Sequence, residues 1–184
     1  KNSYLYHFAA RHAPFTTLEA FNVWMLDLVL GEGDPSLYAT ISGVEKRWWG
    51  LLFVLLGIFW SFRICYRRYG KNDLALPMSV ALSFAVIFLF STRVHERFLI
   101  YVLPFLLIST LIEGRYWVAF IGYSLLAFFE VINHVTLPPA LNLAGASVTG
   151  RAALVVLSLT SLSLFLGWIY EVAATKRIRA GIPA

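Results

Sequence analysis

Apolar positions along this chain gather into long blocks and do not alternate in the short rhythm of strands. Five windows come near the roughly 20 residues that a bilayer core requires: residues 48–64, 74–91, 98–112, 116–135 and 152–170. Each predicts a membrane-spanning helix. The third is short, and it is expected to take part of "HERF" (residues 95–98) as its first turn. Pro77 near the start of the second window is tolerable, whereas Pro104 predicts a kink in the third unless neighbours satisfy the freed carbonyl. Ahead of the windows stands "APFTTLEAFNVWMLDLVLGEGDPS", with Thr16 as N-cap, Glu19 three residues on and a stop at Gly31. Leu18, Phe21, Met25, Leu28 and Val29 share one face at helical spacing, which predicts an amphipathic helix over about residues 17–30 lying along the interface. Trp48 and Trp49 mark the belt where the first span enters.

Composition agrees with this reading. Hydrophobic residues make up 59% of the 184 and charged residues 14%, with a mean hydropathy of +0.72; soluble domains carry about 25% charged residues. The expected fold class is an all-α membrane protein with about five transmembrane helices and an N-terminal interfacial amphipathic helix. The expected organisation is an extracytoplasmic segment (1–47), a membrane domain (48–175) and a basic cytoplasmic tail (176–184). The chain begins with Lys1 in a polar, aromatic stretch without the features of a signal peptide, and it reads as the C-terminal part of a longer protein. One cysteine, Cys65, excludes an internal disulfide and a cysteine-based zinc site, and its place at the end of an apolar run predicts a packed thiol.

Charge sets the expected orientation. Arg63, Arg67, Arg68 and Lys71 follow the first window and Lys176, Arg177 and Arg179 follow the last, so both places read as cytoplasmic. With Arg115 that face holds eight basic residues against three acidic ones (Asp73, Glu113, Glu171), and so carries the whole net charge of +5. The opposite face has seven of each sign, together with all four histidines: His7, His12, His95 and His134. The sequence pI near 9.5 therefore speaks for orientation and contact with anionic lipid, and gives no reason to invoke nucleic acid. No Walker loop, HExxH, GxSxG, cysteine pair or dinucleotide fingerprint occurs.

The chemistry-bearing stretch is "STRVHERFLIYVLPFLLIS", residues 91–109, where Arg93, His95, Glu96 and Arg97 sit between two apolar runs. As an outer turn it leaves its charges at headgroup depth. In a helical turn Arg93 and Arg97 lie four apart on one side, and two guanidiniums offer planar forks of donors that suit a phosphate. His95 can donate to the same anion, and Glu96 can orient one arginine. The competing reading is of arginines that snorkel to ordinary headgroups beside an Arg/Glu pair. Glu130, with Asn133 and His134 just beyond it, is an ionisable residue inside a span; it either contacts a sugar or ties the fourth span to the outer loop. Asp27 reads as a polar-face residue of the amphipathic helix, and Asp34 with Pro35 as a turn former.

"STRVHERFLIYVLPFLL" resembles a recurring stretch of bacterial and archaeal multi-pass glycosyltransferases of the GT-C type, and "EAFNVWMLDLVLGEG" resembles a second element of the same group some 70 residues upstream. The resemblance is to predicted membrane mannosyltransferases similar to GPI mannosyltransferase II, and it covers about residues 15–110. It implies transfer of a hexose from a polyprenyl-phosphate-linked sugar donor to the hydroxyl of a glycan or glycolipid acceptor, on the extracytoplasmic face of a cell membrane. It also implies that Arg97 and His95 face the lipid phosphate with Glu96 in support, and that Asn22 lines the external cavity. Glu19 stands where the group has asparagine, either as a cap or as an extra carboxylate in that cavity. The group's catalytic aspartate belongs to a first external loop near the N-terminus of the full protein, so none is assigned within this chain. Monophosphate donors give no diphosphate for a metal to clamp, so neither metal nor cofactor is expected. The alternative is a transporter or flippase fragment that binds a lipid phosphate without chemistry.

Overall fold

A computed structural model describes residues 17–18, 21–30, 38–70, 72–92, 94–136 and 148–174, with side chains described for 21–27, 38–70, 72–92, 98–130 and 152–174. The chain is mostly helical. In order, the described residues form β1 (Thr17–Leu18), α1 (Val23–Leu30), β2 (Thr40–Ile41), β3 (Val44–Glu45), α2 (Lys46–Tyr69), α3 (Ala75–Phe90) and β4 (Val94–His95). A 3-10 helix (Glu96–Tyr101) leads into α4 (Val102–Ile112), a short 3-10 turn (Gly114–Tyr116) follows, and α5 (Trp117–Thr136) and α6 (Val148–Ala174) complete the bundle.

Small residues decide how closely the long helices approach. Gly50, Gly57, Ser61 and Cys65 line the face of α2 that meets α3: a Cβ at Gly50 would press on the Phe90 carbonyl and Thr92, and one at Gly57 would collide with Val86. Close backbone approach of this kind is how apolar helices gain packing area. α3 supplies Met78, Ala81, Leu82, Ala85 and Val86 to the core, where they meet Leu99, Val102 and Leu106 of the 3-10 helix and α4. Beyond these lie Tyr123 and Leu126 of α5 and Phe165, Trp168 and Val172 of α6. Four buried helical hydroxyls, on Ser61, Ser79, Ser109 and Thr110, donate to the carbonyl one turn back at 2.6–2.8 Å. They are thereby placed in an apolar interior without an unmet donor.

The bundle is as apolar outside as inside. Leu51, Leu52, Leu55, Leu56, Phe59 and Trp60 of α2 are exposed, as are Val118, Ile121, Leu125, Phe128 and Phe129 of α5. Among the described residues two helices, 46–69 and 152–174, are long and apolar enough to cross a membrane; 75–90 and 98–112 are apolar but shorter. That is fewer than the five spans the windows predict. The 98–112 segment does draw on the HERF stretch, but as 3-10 winding. Its Pro104 falls in the first turn of α4, just past the change of winding, where a missing N–H and a clash with the preceding turn are accommodated. Pro77 likewise occupies the first turn of α3.

Two expectations for the N-terminal segment are corrected. α1 begins at Val23, so the amphipathic helix does not run from 17, and it is capped by Asn22 in place of the Thr16/Glu19 box. The reason is long-range: Thr17–Leu18 are extended and pair in parallel with Val94–His95, a partner that local capping chemistry cannot reveal. Phe21, Trp24 and Met25 are buried, and α1 packs across α6. Residues 40–45, for which the apolar pattern predicts no element, hold a hairpin in which β2 and β3 pair in the register Thr40↔Glu45. Its turn residues Ser42 (φ 54°) and Gly43 (φ 80°) both have positive φ, as two-residue hairpin turns require.

Candidate functional site

Residues from five elements meet at one end of the bundle. The backbone of Thr17–Leu18 runs beside that of Val94–His95, in the register Thr17↔Val94 and Leu18↔His95. Two stretches more than seventy positions apart in the sequence thus share a short sheet. Just after β1, the Phe21 N–H donates to Oε1 of Glu130 at 2.8 Å, which draws the C-terminal part of α5 to the same place. Asn22, fully buried, divides its side chain between two tasks. Its Oδ1 accepts from the N–H groups of Trp24 and Met25, both at 3.1 Å, while Nδ2 donates to the Phe88 carbonyl at 3.4 Å. The Trp24 indole N–H donates to the Phe90 carbonyl at 2.9 Å. The last turn of α3 therefore has carbonyls engaged by α1, which satisfies acceptors that a helix C-terminus otherwise leaves open.

The sequence candidates divide three ways. Asn22 and Glu130 are brought together by the 21–22 backbone, and both are buried. The contact seen at Glu130 ties α5 to the segment before α1. His95 lies in β4 and Glu96 and Arg97 open the 3-10 helix, so their backbones stand at this same end; their side chains fall outside the described residues. His134 is placed only by the backbone of α5, and Glu19, Arg93, His7 and His12 lie outside the described residues. The expected helical turn from Arg93 to Arg97 does not form, because Val94 and His95 between them are extended to pair with β1. Any convergence of the two guanidiniums must come from strand and 3-10 geometry.

One feature of this end escaped sequence reasoning. Lys46, the first residue of α2, is 3% exposed, and its Nζ reaches Oδ2 of Asp27 at 2.6 Å. A buried ammonium demands such a partner, and the pair pins α1 to the start of α2. The only advance signal was a lysine directly before an apolar run, with an aspartate in the preceding helix. Arg47, next to it, stays exposed, pairs with Glu45 and stacks over Tyr38 and Trp48. At the opposite end the Tyr69 and Tyr116 hydroxyls hydrogen-bond to each other, joining the end of α2 to the 114–116 turn.

Among the described residues no three His, Cys, Asp or Glu side chains gather as metal ligands. A concavity of about 470 Å³ lies between α5 and α6. It is lined by Val118, Val156, Thr160, Gly167 and Glu171 among others, and includes none of the residues of the two paired stretches. Comparison with protein-family models, with curated proteins and with solved structures finds no match to this chain.

Proposed function

We propose that this chain is part of a multi-pass membrane hexosyltransferase that uses a polyprenyl-phosphate-linked sugar, with mannose the first candidate. The paired stretches lie at the extracytoplasmic face. The observation that carries the proposal is the parallel pairing of β1 with β4, which sets Thr17–Leu18, just ahead of the EAFN stretch, against Val94–His95 at the start of the HER stretch. The pairing thereby brings the backbones beside the two stretches that resemble the GT-C group to one place. The membrane reading draws support from the flanks of the bundle. Only 17% of the most apolar window of residues 46–69 and 22% of that of 152–174 are buried, whereas the core helix of a soluble protein hides most of its apolar surface. Exposed apolar area on this scale calls for lipid or partner chains.

In the proposed reaction Arg93 and Arg97 hold the donor phosphate and His95 donates to it, while Glu96 orients an arginine. An acceptor hydroxyl attacks the anomeric carbon and gives its proton to a carboxylate base that is not assigned within this chain. The anomeric C–O bond breaks, and the lipid phosphate leaves with the electron pair, its charge met by the guanidiniums. Removing a donor to a leaving group of this kind typically costs about a hundredfold or more in rate.

The test is transfer of radiolabelled mannose from polyprenyl-phosphate-mannose, in membranes expressing the complete gene product and its Arg97→Ala and His95→Ala variants. Loss in both variants at normal protein level supports the phosphate site. Transfer that survives both changes reduces the turn to an interfacial anchor. If wild type binds polyprenyl phosphate but transfers no hexose, the transporter takes the place of the enzyme.

A further inference from the structure

Among the described residues six serine or threonine side chains are buried, and four of them are satisfied by a carbonyl of their own helix. Ser158 and Ser161, at 1% and 0% exposure, break that rule: neither hydroxyl has a hydrogen-bond partner. The same holds for the Trp168 Nε1–H and the Tyr123 hydroxyl, which are equally buried. An apolar interior accepts unmet polar atoms only at a cost of about 1–3 kcal/mol each, so the four call for an explanation.

Three of them share one row of α6, and Tyr123 meets that row at Trp168. The inward positions of α6 are Ser158, Ser161, Phe165, Trp168 and Val172, which repeat at alternating steps of three and four residues. Trp168 meets Tyr123 of α5 edge to face, with ring centroids 5.6 Å apart, and Gly122 packs on Leu164. α5 and α6 run in opposite directions, so seven residues toward the end of α5 match seven toward the start of α6. Glu130 therefore stands at the depth of Ser158 and Ser161. The row from Ser158 to Trp168 is about 15 Å long at helical rise, and α1 also packs across α6.

We infer that this seam between α5 and α6 is a binding site for neutral hydroxyl groups, those of water or of a sugar. The polar set selects that chemistry. Serine and tyrosine hydroxyls both give and accept, while the indole N–H only gives, so the occupant must accept as well as donate. A cation has nothing to offer the indole N–H, and among the described side chains an anion meets no basic group in this row but a carboxyl group at the same depth. An apolar chain leaves all four atoms unmet. A hydroxyl satisfies each of them, and buried water commonly fills this role with two to four partners per molecule. The inference does not rest on the transferase reading.

The test is radiolytic hydroxyl labelling of the complete gene product in detergent, read by mass spectrometry, because water bound beside an aromatic ring oxidises it whether or not bulk solvent reaches it. Phe165, Trp168 and Tyr123 label well above Phe88, which is as deeply buried. In Ser158→Ala/Ser161→Ala that labelling falls several-fold and the melting temperature drops by about 2–4 °C for each hydrogen-bonded site lost. Labelling no higher than that of Phe88 overturns the inference. So does a double variant that melts at or above wild type with unchanged labelling, the result for dry hydroxyls. Melting with an excess of free mannose separates the sources: a rise abolished in the double variant assigns the site to a sugar, and no rise assigns it to water.

Discussion

Replacing Asn22 by alanine isolates the joint between α1 and α3. Oδ1 of Asn22 accepts from the N–H groups of Trp24 and Met25. Met25 has a second acceptor in the Asn22 carbonyl at 3.1 Å, so alanine leaves only the Trp24 N–H unmet. Loss of an N-cap costs about 1 kcal/mol, and one buried donor without a partner adds about 1–2 kcal/mol. The long 3.4 Å bond to the Phe88 carbonyl adds little. The sum, about 2–3 kcal/mol, corresponds to roughly 4–12 °C in melting temperature for a chain of this size. Asn22→Ser keeps the capping oxygen and is expected to recover about half of the loss. Asn22→Asp sets an oxygen against the Phe88 carbonyl in a fully buried position, and melts no higher than the alanine variant. The assay is thermal unfolding of the detergent-solubilised protein followed by circular dichroism. An alanine variant within about 0.5 kcal/mol of wild type, or an aspartate variant as stable as wild type, refutes the reasoning.

Other consequences follow from packing. Gly57→Ala drives a methyl group into Val86 and destabilises by about 1–3 kcal/mol; adding Val86→Ala restores most of that loss, which a double-mutant cycle on melting curves measures. Asp27→Ala deprives buried Lys46 of its carboxylate and costs about 1–3 kcal/mol, whereas Lys46→Met with Asp27→Ala costs less than the two single changes together. Cys65 is fully buried, so a maleimide labels it only after unfolding in SDS; rapid labelling of the folded protein contradicts the packing of α2 on α3.

The helices after residue 45 were legible because apolar run length reports them directly: the windows at 48–64 and 116–135 lie within α2 and the 116–136 segment. Lengths were less so. Lys46 and Arg47 looked like loop charges, yet both are helical, Lys46 because Asp27 meets its ammonium. The start of α1 was misplaced because Thr16 and Glu19 form a sound local cap, while the competing strand pairing depends on residues 94–95. Glu130 was legible as a carboxyl group in an apolar helix, but its partner is a backbone N–H, which carries no residue signature. The hairpin at 40–45 had a signal in Ser42-Gly43 that the apolar windows overshadowed. Ser158 and Ser161 look like ordinary helical serines until their unmet hydroxyls are seen.

The central claim is that the two stretches form one site, and the most direct measurement is a disulfide cross-link. Thr17→Cys and Val94→Cys, introduced together with Cys65→Ser, are expected to cross-link rapidly under mild oxidation in native membranes, because the two positions are paired neighbours in the β1–β4 sheet. Paired strands lie about 5 Å apart, within disulfide reach. Thr17→Cys with a cysteine at Tyr116, at the opposite end of the bundle, is expected to give none. Cross-linking of the first pair alone supports a single site built from both stretches; no cross-link in the first pair, or equal yield in the second, contradicts it.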